Sequence, residues 1–267
     1  MTSRLLEGRV AVVTGACGRL GPVWCEALID AGADVVGLDL PEAAVPHQFA
    51  DLQQRAGGRL VLLRADVLDR SALARVREHC EGRGSSATVL VNNAGIDQPP
   101  GPATTYRLED IPLEVFRGVV EVNLIGAFQA IQVFGPGMVQ AGRGSIINIG
   151  SLYASVSPDA HFYDHLPSDP PFLKPPAYGA SKAALVNLTR YFATHWGPHG
   201  VRVNALSPGG VEGGQDPEFR RKFIARVPLG RMAAAQDLRG PLIFLASDAS
   251  AYVTGIELRV DGGFTSW

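Results

Sequence analysis

The sequence feature that most constrains the fold is a short apolar strand pattern followed at once by a glycine-rich turn. Residues 9–14 form a nearly continuous apolar run rich in valine, which is typical of a buried strand in a parallel sheet. Three glycines stand in the turn at residues 15–21, and a helical pattern begins directly after them. A second apolar run, residues 34–39, ends in Asp39. This order predicts a strand–helix–strand unit, the first unit of a dinucleotide-binding fold.

Each part of this unit suits the binding of a dinucleotide. Glycines let the backbone approach a pyrophosphate, and the start of the next helix offers amide donors and a positive dipole to it. Asp39 follows Gly21 by 18 residues, close to the roughly 20 expected of an acid that accepts hydrogen bonds from the adenosine ribose. A carboxylate there repels a 2′-phosphate, so the sequence favours NAD over NADP.

The rest of the chain continues to alternate between apolar runs and helical patterns. Further strands are predicted at residues 59–64, 88–92, 144–151, 201–206 and 256–260. Helices are predicted at residues 71–81, 111–134, 176–195, 216–224 and 235–246. The alternation predicts an α/β fold, a doubly wound Rossmann-type domain whose seven-stranded parallel sheet carries helices on both faces. We expect residues 1–267 to form a single domain.

Composition limits the cellular compartment and the classes of binding partner that we expect. A chain of 267 residues, 46% hydrophobic and 19% charged, is long enough for one large core, and its net charge of −2 gives no support for a nucleic-acid partner. No apolar run is expected to span a membrane, and the N-terminus lacks the apolar core of a secretion signal. The three cysteines have no Cys-x-x-Cys spacing, which favours a reduced, cytoplasmic setting.

A tyrosine and a lysine four positions apart, Tyr178 and Lys182, lie in the predicted helix at residues 176–195. Residues at this spacing share one face of a helix, where an ammonium stabilises a phenolate. An ordinary tyrosine titrates near pH ~10, so the pair predicts a proton acceptor that works nearer to neutral pH. The same spacing occurs on ordinary surface helices, and only the rest of the chain favours catalysis.

Taken together and in this order, the motifs resemble the short-chain dehydrogenase/reductase family, in its shorter single-domain branch. The resemblance covers nearly the whole chain. The matching pieces are Thr14-Gly15 with Gly21, Asp39, Asp66-Val67, the run from Asn92 to Gly95, Asn123, Ser151, Tyr178 with Lys182, Pro208-Gly209, and the run from Asp261 to Gly263. The resemblance implies an oxidoreductase that transfers a hydride between a nicotinamide cofactor and a secondary alcohol or ketone. It also implies a homodimer or homotetramer.

The resemblance implies roles for individual residues. Tyr178 would be the general acid/base, and Lys182 would lower its pKa and bind the nicotinamide ribose. Ser151 would hold the substrate oxygen, and Asn123 would keep a water in a proton relay. The implied cofactor-binding residues are Gly15, Gly18, Arg19, Leu20, Gly21, Asp39, Asp66, Val67, Asn92, Ala94, Gly95, Tyr178, Lys182, Pro208, Gly209 and Val211. No metal is required.

Two departures from the family pattern concern the cofactor. Arg19 replaces the middle glycine of the turn, with Gly18 just before it. Its side chain would either point to solvent or touch an adenosine phosphate, and the second reading favours NADP. The threonine that the family often has after Pro-Gly is absent after Gly209. The backbone amides of Gly210 or Val211, or a different loop, would then hold the nicotinamide.

A third departure concerns the substrate. Ser151 and Tyr178 are 27 residues apart, about twice the family's usual gap, and the extra segment, residues 155–176, is called the insertion here. Its polar aromatic residues suit a hydroxylated, sugar-like substrate. The candidate substrate residues are Ser151, Tyr153, His161 and Tyr163. An equal alternative is a flap that packs on a neighbouring subunit. His161 and His165 give only weak support for a metal site.

The leading hypothesis is therefore an NAD-dependent dehydrogenase of a secondary alcohol, such as a polyol or a sugar-like compound, or the reverse ketone reductase. One alternative is an NADP-dependent carbonyl reductase in which Arg19 holds the phosphate. Another is a non-catalytic, cofactor-sensing protein on the same fold. Such a protein would be expected to lose Ser151, Tyr178 or Lys182, and all three are present.

Overall fold

A parallel sheet forms the centre of the computed structural model, which describes residues 4–82, 86–101 and 104–267. Its seven strands lie in the order β3-β2-β1-β4-β5-β6-β7, and each neighbouring pair is parallel. The strands are β1 Val10–Thr14, β2 Asp34–Asp39, β3 Leu60–Arg64, β4 Val89–Asn92, β5 Gly144–Ile149, β6 Val201–Pro208 and β7 Glu257–Val260. The chain reverses its direction of winding between β1 and β4, which places a ligand-binding crevice at the carboxyl ends of these strands.

Helices cover both faces of the sheet, as predicted. The helices are α1 Gly21–Asp30, α2 His47–Ala56, α3 Arg70–Gly82, α4 Leu113–Val120, α5 Ala127–Gln140, α6 Pro176–Trp196, α7 Pro217–Ile224 and α8 Arg239–Ala246. Successive residues of β1 enter opposite cores. Val13 packs in the cluster of α1, α2 and α8 with Trp24, and Val12 packs in the cluster of α3, α5 and α6 with Phe134. The doubly wound fold is confirmed.

Helix α2 was not predicted from the sequence. Most of its residues are polar, and only Phe49, Leu52 and Ala56 are buried. Their spacing of three and four residues is the helical signal, but three apolar residues are few beside the strong strand patterns on either side.

The predicted helix at residues 111–134 is longer and less regular than expected. Leu113–Gln140 is one helical stretch, with a π-helical segment at Glu121–Gly126 between α4 and α5. It continues past Phe134, where the prediction ended it, and includes Pro136. By length and composition the stretch would also pass as a membrane span, contrary to expectation, although half of it is buried inside the fold. Its buried side includes Ala130, Ile131 and Phe134, which belong to the second core cluster.

The insertion packs against α7 and the end of the chain. Phe162 is 2% exposed, and its ring centroid lies 5.6 Å from that of Phe223 and 6.2 Å from that of Phe264. Polar contacts connect the insertion to α7 and the residues beside it: a hydrogen bond joins His165 and Asp216, and ion pairs join Asp164 with Lys222 and Asp159 with Arg226. The insertion and α7 therefore form one packed unit.

Candidate active site

A cavity of about 1170 Å³ opens at the carboxyl ends of the strands. Small-ligand pockets usually measure about 300–1,000 Å³, so this one has room for a dinucleotide and a small substrate together. Its lining comes from the segments that follow β1, β2, β3, β4, β5 and β6, and from the insertion.

The glycine-rich turn lies against the loop after β4 with no room for side chains. Gly15 has φ +63°, and a Cβ there would lie 2.7 Å from the Cα of Ala94. A Cβ on Gly21 would lie 2.3 Å from the carbonyl oxygen of Ala16, so Gly21 serves the packing of α1 and does not line the cavity. Leu20 is the N-cap of helix α1 and makes no side-chain cap hydrogen bond. The N–H of Gly21 donates to the carbonyl of Gly18, and Pro22 has no N–H. Gly15, Gly18, Arg19 and Leu20 line the cavity.

Asp39 lies at the end of β2 and lines the cavity. Its Oδ2 accepts a hydrogen bond of 2.7 Å from the backbone N–H of Cys17, and its Oδ1 accepts one of 2.9 Å from that of Leu40. A carboxylate has about four acceptor positions. Two therefore remain for a vicinal pair of hydroxyl groups, such as those of a ribose.

Arg19 is held on the opposite side of β1 from Asp39. Its guanidinium donates a hydrogen bond of 2.6 Å to the carbonyl of Val211, which follows β6. Strands β2 and β6 lie on opposite sides of β1 in the sheet. This contact joins the turn to the Pro208–Val211 segment, whose Pro208, Gly209 and Val211 line the cavity. Arg19 remains exposed to solvent while it makes this contact, and its contact with an adenosine phosphate stays a prediction.

Five residues at or after the ends of β3 and β4 were predicted to bind the cofactor, and four of them line the cavity. Asp66 and Val67 line the cavity, as do Ala94 and Gly95, but Asn92 does not. Asn92 is 3% exposed and donates a hydrogen bond of 2.8 Å to Asn148 on β5. The residue that faces the cavity instead is the next one, Asn93, which donates to the carbonyls of Thr14 and Gly15.

Ser151, Tyr178 and Lys182 come together at the cavity wall. Ser151 caps a short helical turn after β5, and Pro176 opens the helix α6 that carries the other two residues. Lys182 is 4% exposed, and its Nζ donates a hydrogen bond of 2.7 Å to the carbonyl of Ile149 and lies 5.8 Å from the centroid of the Tyr178 ring. All three side chains line the cavity.

The protein's own groups oppose ionisation of Tyr178. Burial raises the pKa of the Tyr178 phenol, and the negative charge of Asp97 raises it further, whereas interaction with the Ser151 hydroxyl lowers it. Burial also lowers the pKa of Lys182 to about 8, against a smaller opposite effect of Asp97. The expectation that Lys182 lowers the pKa of Tyr178 stays a prediction, since burial is the largest effect on this phenol.

Asn123 lies behind the cavity wall and not in it. Its amide is fully engaged, since Oδ1 accepts from the N–H of Ile96 and Nδ2 donates to the carbonyl of Ile96 and to Ser181 Oγ. The Ser181 hydroxyl in turn donates to the carbonyl of Tyr178. Asn123 sits in the π-helical segment, a conformation often found at functional sites. Its side chain therefore braces the Gly95–Ile96 loop against α6, and its part in holding a water stays a prediction.

The substrate end of the cavity differs from the prediction at one residue. Tyr153 and Tyr163 line it, and burial raises the pKa of both phenols, that of Tyr163 to about 12. His161 does not: its side chain is 86% exposed and pairs with Asp159. The histidine that lines the cavity is His165.

Sequence reasoning missed an ion pair at this end. Lys174 Nζ donates a hydrogen bond of 2.5 Å to Asp97 Oδ1, and the two residues are 77 positions apart in the chain. Both line the cavity. The one available signal was that Lys174 stands four residues before Tyr178 and is one of only three lysines in the sequence. Within the described ranges, no group of three or more His, Cys, Asp or Glu side chains is placed to hold a metal ion.

Comparison with known proteins agrees with this geometry. A family model described as short chain dehydrogenase matches residues 9–164, and one described as Enoyl-(Acyl carrier protein) reductase matches residues 168–265. Galactitol 2-dehydrogenase (L-tagatose-forming) of Cereibacter sphaeroides is 34% identical over 268 residues, which cover 98% of this chain and 97% of that protein.

Two solved structures are similar in fold and sequence. A gluconate 5-dehydrogenase from Burkholderia cenocepacia J2315, in complex with NADP and tartrate, has a TM-score of 0.83 and 30% identity over 100% of this chain and 98% of its own. A short chain dehydrogenase from Leptospira borgpetersenii with bound NAD⁺ has a TM-score of 0.83 and 31% identity over 97% of this chain and 94% of its own. The chain therefore belongs to the short-chain dehydrogenase/reductase family and is an oxidoreductase that uses a nicotinamide cofactor.

Proposed function

We propose that this protein oxidises a secondary alcohol of a polyol or sugar-like substrate with NAD, or reduces the corresponding ketone, using Tyr178 as the general acid/base. The observation that carries the proposal is the meeting of Ser151, Tyr178 and Lys182 in the same cavity that holds Asp39 and the glycine-rich turn. The fit of a dinucleotide is supported by the glycine turn, where a Cβ on Gly15 would collide with Ala94.

Ser151, Tyr178 and Lys182 each have a separate role in the proposed reaction. Ser151 holds the substrate oxygen beside the phenolic oxygen of Tyr178. In oxidation the phenolate takes the hydroxyl proton while the carbon–oxygen bond becomes a carbonyl, and in reduction the phenol returns that proton. The nicotinamide, when bound, supplies the acceptor or donor for the hydride at the same carbon. The Lys182 ammonium stabilises the phenolate, and the cavity orients the reacting groups.

NAD is the cofactor that the contacts favour. Asp39 has acceptor positions left for two ribose hydroxyls and would repel a 2′-phosphate. Arg19 is held by Val211 on the far side of β1. The other cation near Asp39, Arg64, donates to the carbonyls of Leu40 and Ala43. Titration with NADH and NADPH, followed by nicotinamide fluorescence, tests this assignment. Tighter binding of NADPH would support the NADP-dependent carbonyl reductase instead.

The activity is tested by screening secondary alcohols, linear polyols and cyclic alcohols for NADH or NADPH formation. We expect NADH formation with at least one hydroxylated substrate. The galactitol and gluconate dehydrogenases named above act on hydroxylated compounds by their descriptions, and the polar lining of the substrate end suits the same class. Cofactor binding without turnover across the whole panel would support the cofactor-sensing alternative.

We also propose a homodimer or homotetramer in the cytoplasm. Large apolar side chains remain exposed on the single chain, including Tyr191 on α6, Tyr252 and Trp267, and such residues often mark subunit contacts. Cys17 and Cys25 are free thiols, which suits a reducing compartment. Light scattering on the purified protein tests the assembly, and a monomer at micromolar concentration would contradict it.

A further inference from the structure

The pair formed by Asp97 and Lys174 stands in the substrate end of the cavity without being used by the mechanism above. The Lys174 side chain is 6% exposed, and that of Asp97 is 57% exposed. Lys174 Nζ lies 5.2 Å from the centroid of the Tyr178 ring and 5.9 Å from that of Tyr153. The ammonium is therefore buried next to the tyrosine that handles the reacting hydroxyl.

The pair has hydrogen-bonding capacity left over. An ammonium has three N–H donors; Lys174 uses one on Asp97 Oδ1 and a second, at 3.5 Å, on the carbonyl of Gln98. The third finds no acceptor among the residues that the structure describes. Asp97 Oδ1 also accepts from the N–H of Gln98, whereas no hydrogen bond from residues 4–82, 86–101 or 104–267 reaches its Oδ2. One donor and one acceptor thus remain side by side.

The other polar groups at this end are more fully engaged. His165 has Nε2 on Asp216 Oδ1 at 2.7 Å and Nδ1 3.4 Å from Lys222 Nζ. Both of its ring nitrogens are therefore committed to contacts between the insertion and α7. Compared with this histidine, the ion pair keeps more hydrogen-bonding capacity for a ligand.

A donor beside an acceptor, in a pair with no net charge, matches a hydroxyl group. A hydroxyl donates one hydrogen bond and accepts others, whereas an ionised carboxylate only accepts and would be repelled by Asp97. We propose that the Asp97–Lys174 pair binds a second hydroxyl on the carbon next to the reacting one, so that the substrate is a vicinal diol or, in reduction, an α-hydroxyketone. This inference rests on the proposed function, because Tyr178 must fix where the reacting hydroxyl lies.

The test compares substrates that differ only in the second hydroxyl. Kinetic constants kcat/KM are measured with NAD⁺ for butane-2,3-diol against butan-2-ol, and for cyclohexane-1,2-diol against cyclohexanol. We expect the wild type to favour each diol by at least about 10-fold, since a site built to bind a hydroxyl rejects the analogue that lacks it. Lys174→Met and Asp97→Asn should each reduce that preference by about 10-fold. Lys222→Met, which removes a lysine that does not line the cavity, should keep it.

A binding measurement accompanies the kinetics. In the complex with NADH, nicotinamide fluorescence reports the Kd of butane-2,3-diol and of butan-2-ol, which NADH cannot reduce, and the same preference should appear there and be lost in Lys174→Met. Equal kcat/KM for diol and mono-alcohol, or a preference that survives in both variants, would overturn the inference while leaving the proposed function intact. So would a faster reaction with 3-hydroxybutanoate than with the diol. No oxidation of any alcohol would overturn both.

Discussion

The ammonium of Lys174 lies closer to the ring centroid of Tyr178 than the ammonium of Lys182 does, at 5.2 Å against 5.8 Å. Lys182 belongs to the recognised motif, whereas Lys174 comes from the insertion. The insertion therefore places a charge beside Tyr178, the proposed general acid/base. Its other end packs on α7 through Phe162 and Phe223. A change of packing in the insertion can therefore alter both the fit of the substrate and the pKa of Tyr178.

The first prediction concerns Tyr178. Replacement by Phe removes the group that accepts the alcohol proton and should lower kcat by about 10²–10⁴, the usual contribution of a general acid/base. The Kd of NADH, measured by fluorescence, should change little. Tyr191→Phe is the matched control, because Tyr191 lies on the same helix, does not line the cavity and loses only its hydroxyl. Full turnover in Tyr178→Phe would refute the proposed mechanism.

The second prediction concerns the pH dependence of oxidation. The active form has Tyr178 deprotonated, so activity rises with pH, and the charge of Asp97 raises the pKa of Tyr178. In Asp97→Asn this effect is gone, while the ammonium groups of Lys174 and Lys182 remain. The rising limb of log kcat against pH should therefore move to lower pH, by about one unit. Asp97→Glu keeps the charge and should move it much less. A limb that moves to higher pH would contradict the assignment.

The sequence was most informative where function depends on local geometry. The strand, the glycine turn and Asp39 follow spacing rules within one strand–helix–strand unit, and Tyr178 and Lys182 follow the helical repeat. These patterns placed the two halves of the cavity correctly. They also predicted the sheet, because the short apolar runs are buried on both faces.

Long-range contacts and irregular segments escaped prediction. The Asp97–Lys174 pair joins two loops that no periodicity relates. His161 and His165 lie in the same insertion, yet only His165 lines the cavity, and a proline-rich loop gives no rule for which of two side chains turns inward. Asn92 faces the sheet and Asn93 the cavity because β4 ends between them.

The third prediction concerns stability. Burial lowers the pKa of Lys182 to about 8 from 10.5, so a charged Lys182 destabilises the fold by about 3 kcal/mol at pH 7. Lys182→Met should therefore unfold at higher denaturant concentration than the wild type at pH 7, although the lost bond to the Ile149 carbonyl offsets about 1 kcal/mol of the gain.

The sign of the pH effect on Lys182 follows from proton binding. Below pH 8 both the folded and the unfolded states bind the proton, and the penalty is complete. Between pH 8 and 10.5 the folded state loses the proton first, so the free energy of unfolding of the wild type rises relative to that of Lys182→Met. Urea titrations should show a smaller difference in free energy of unfolding between Lys182→Met and the wild type at pH 10 than at pH 7. A gap that widens with pH would show that Lys182 is not held against ionisation.

The fourth prediction concerns cofactor choice. In Asp39→Ser the repulsion of a 2′-phosphate disappears and the acceptors for two ribose hydroxyls are lost, so the ratio of NADPH to NADH affinity should rise by about 10-fold or more, a change of about 1.4 kcal/mol. Arg64 lies beside Asp39 in the β2–β3 pairing and would then be free to turn toward the phosphate. Asp34→Ser, at the exposed opposite end of the same strand, is the matched control and should leave the ratio unchanged. A ratio equally unchanged in Asp39→Ser would mean that Asp39 holds only the turn, through the N–H groups of Cys17 and Leu40, and takes no part in choosing the cofactor.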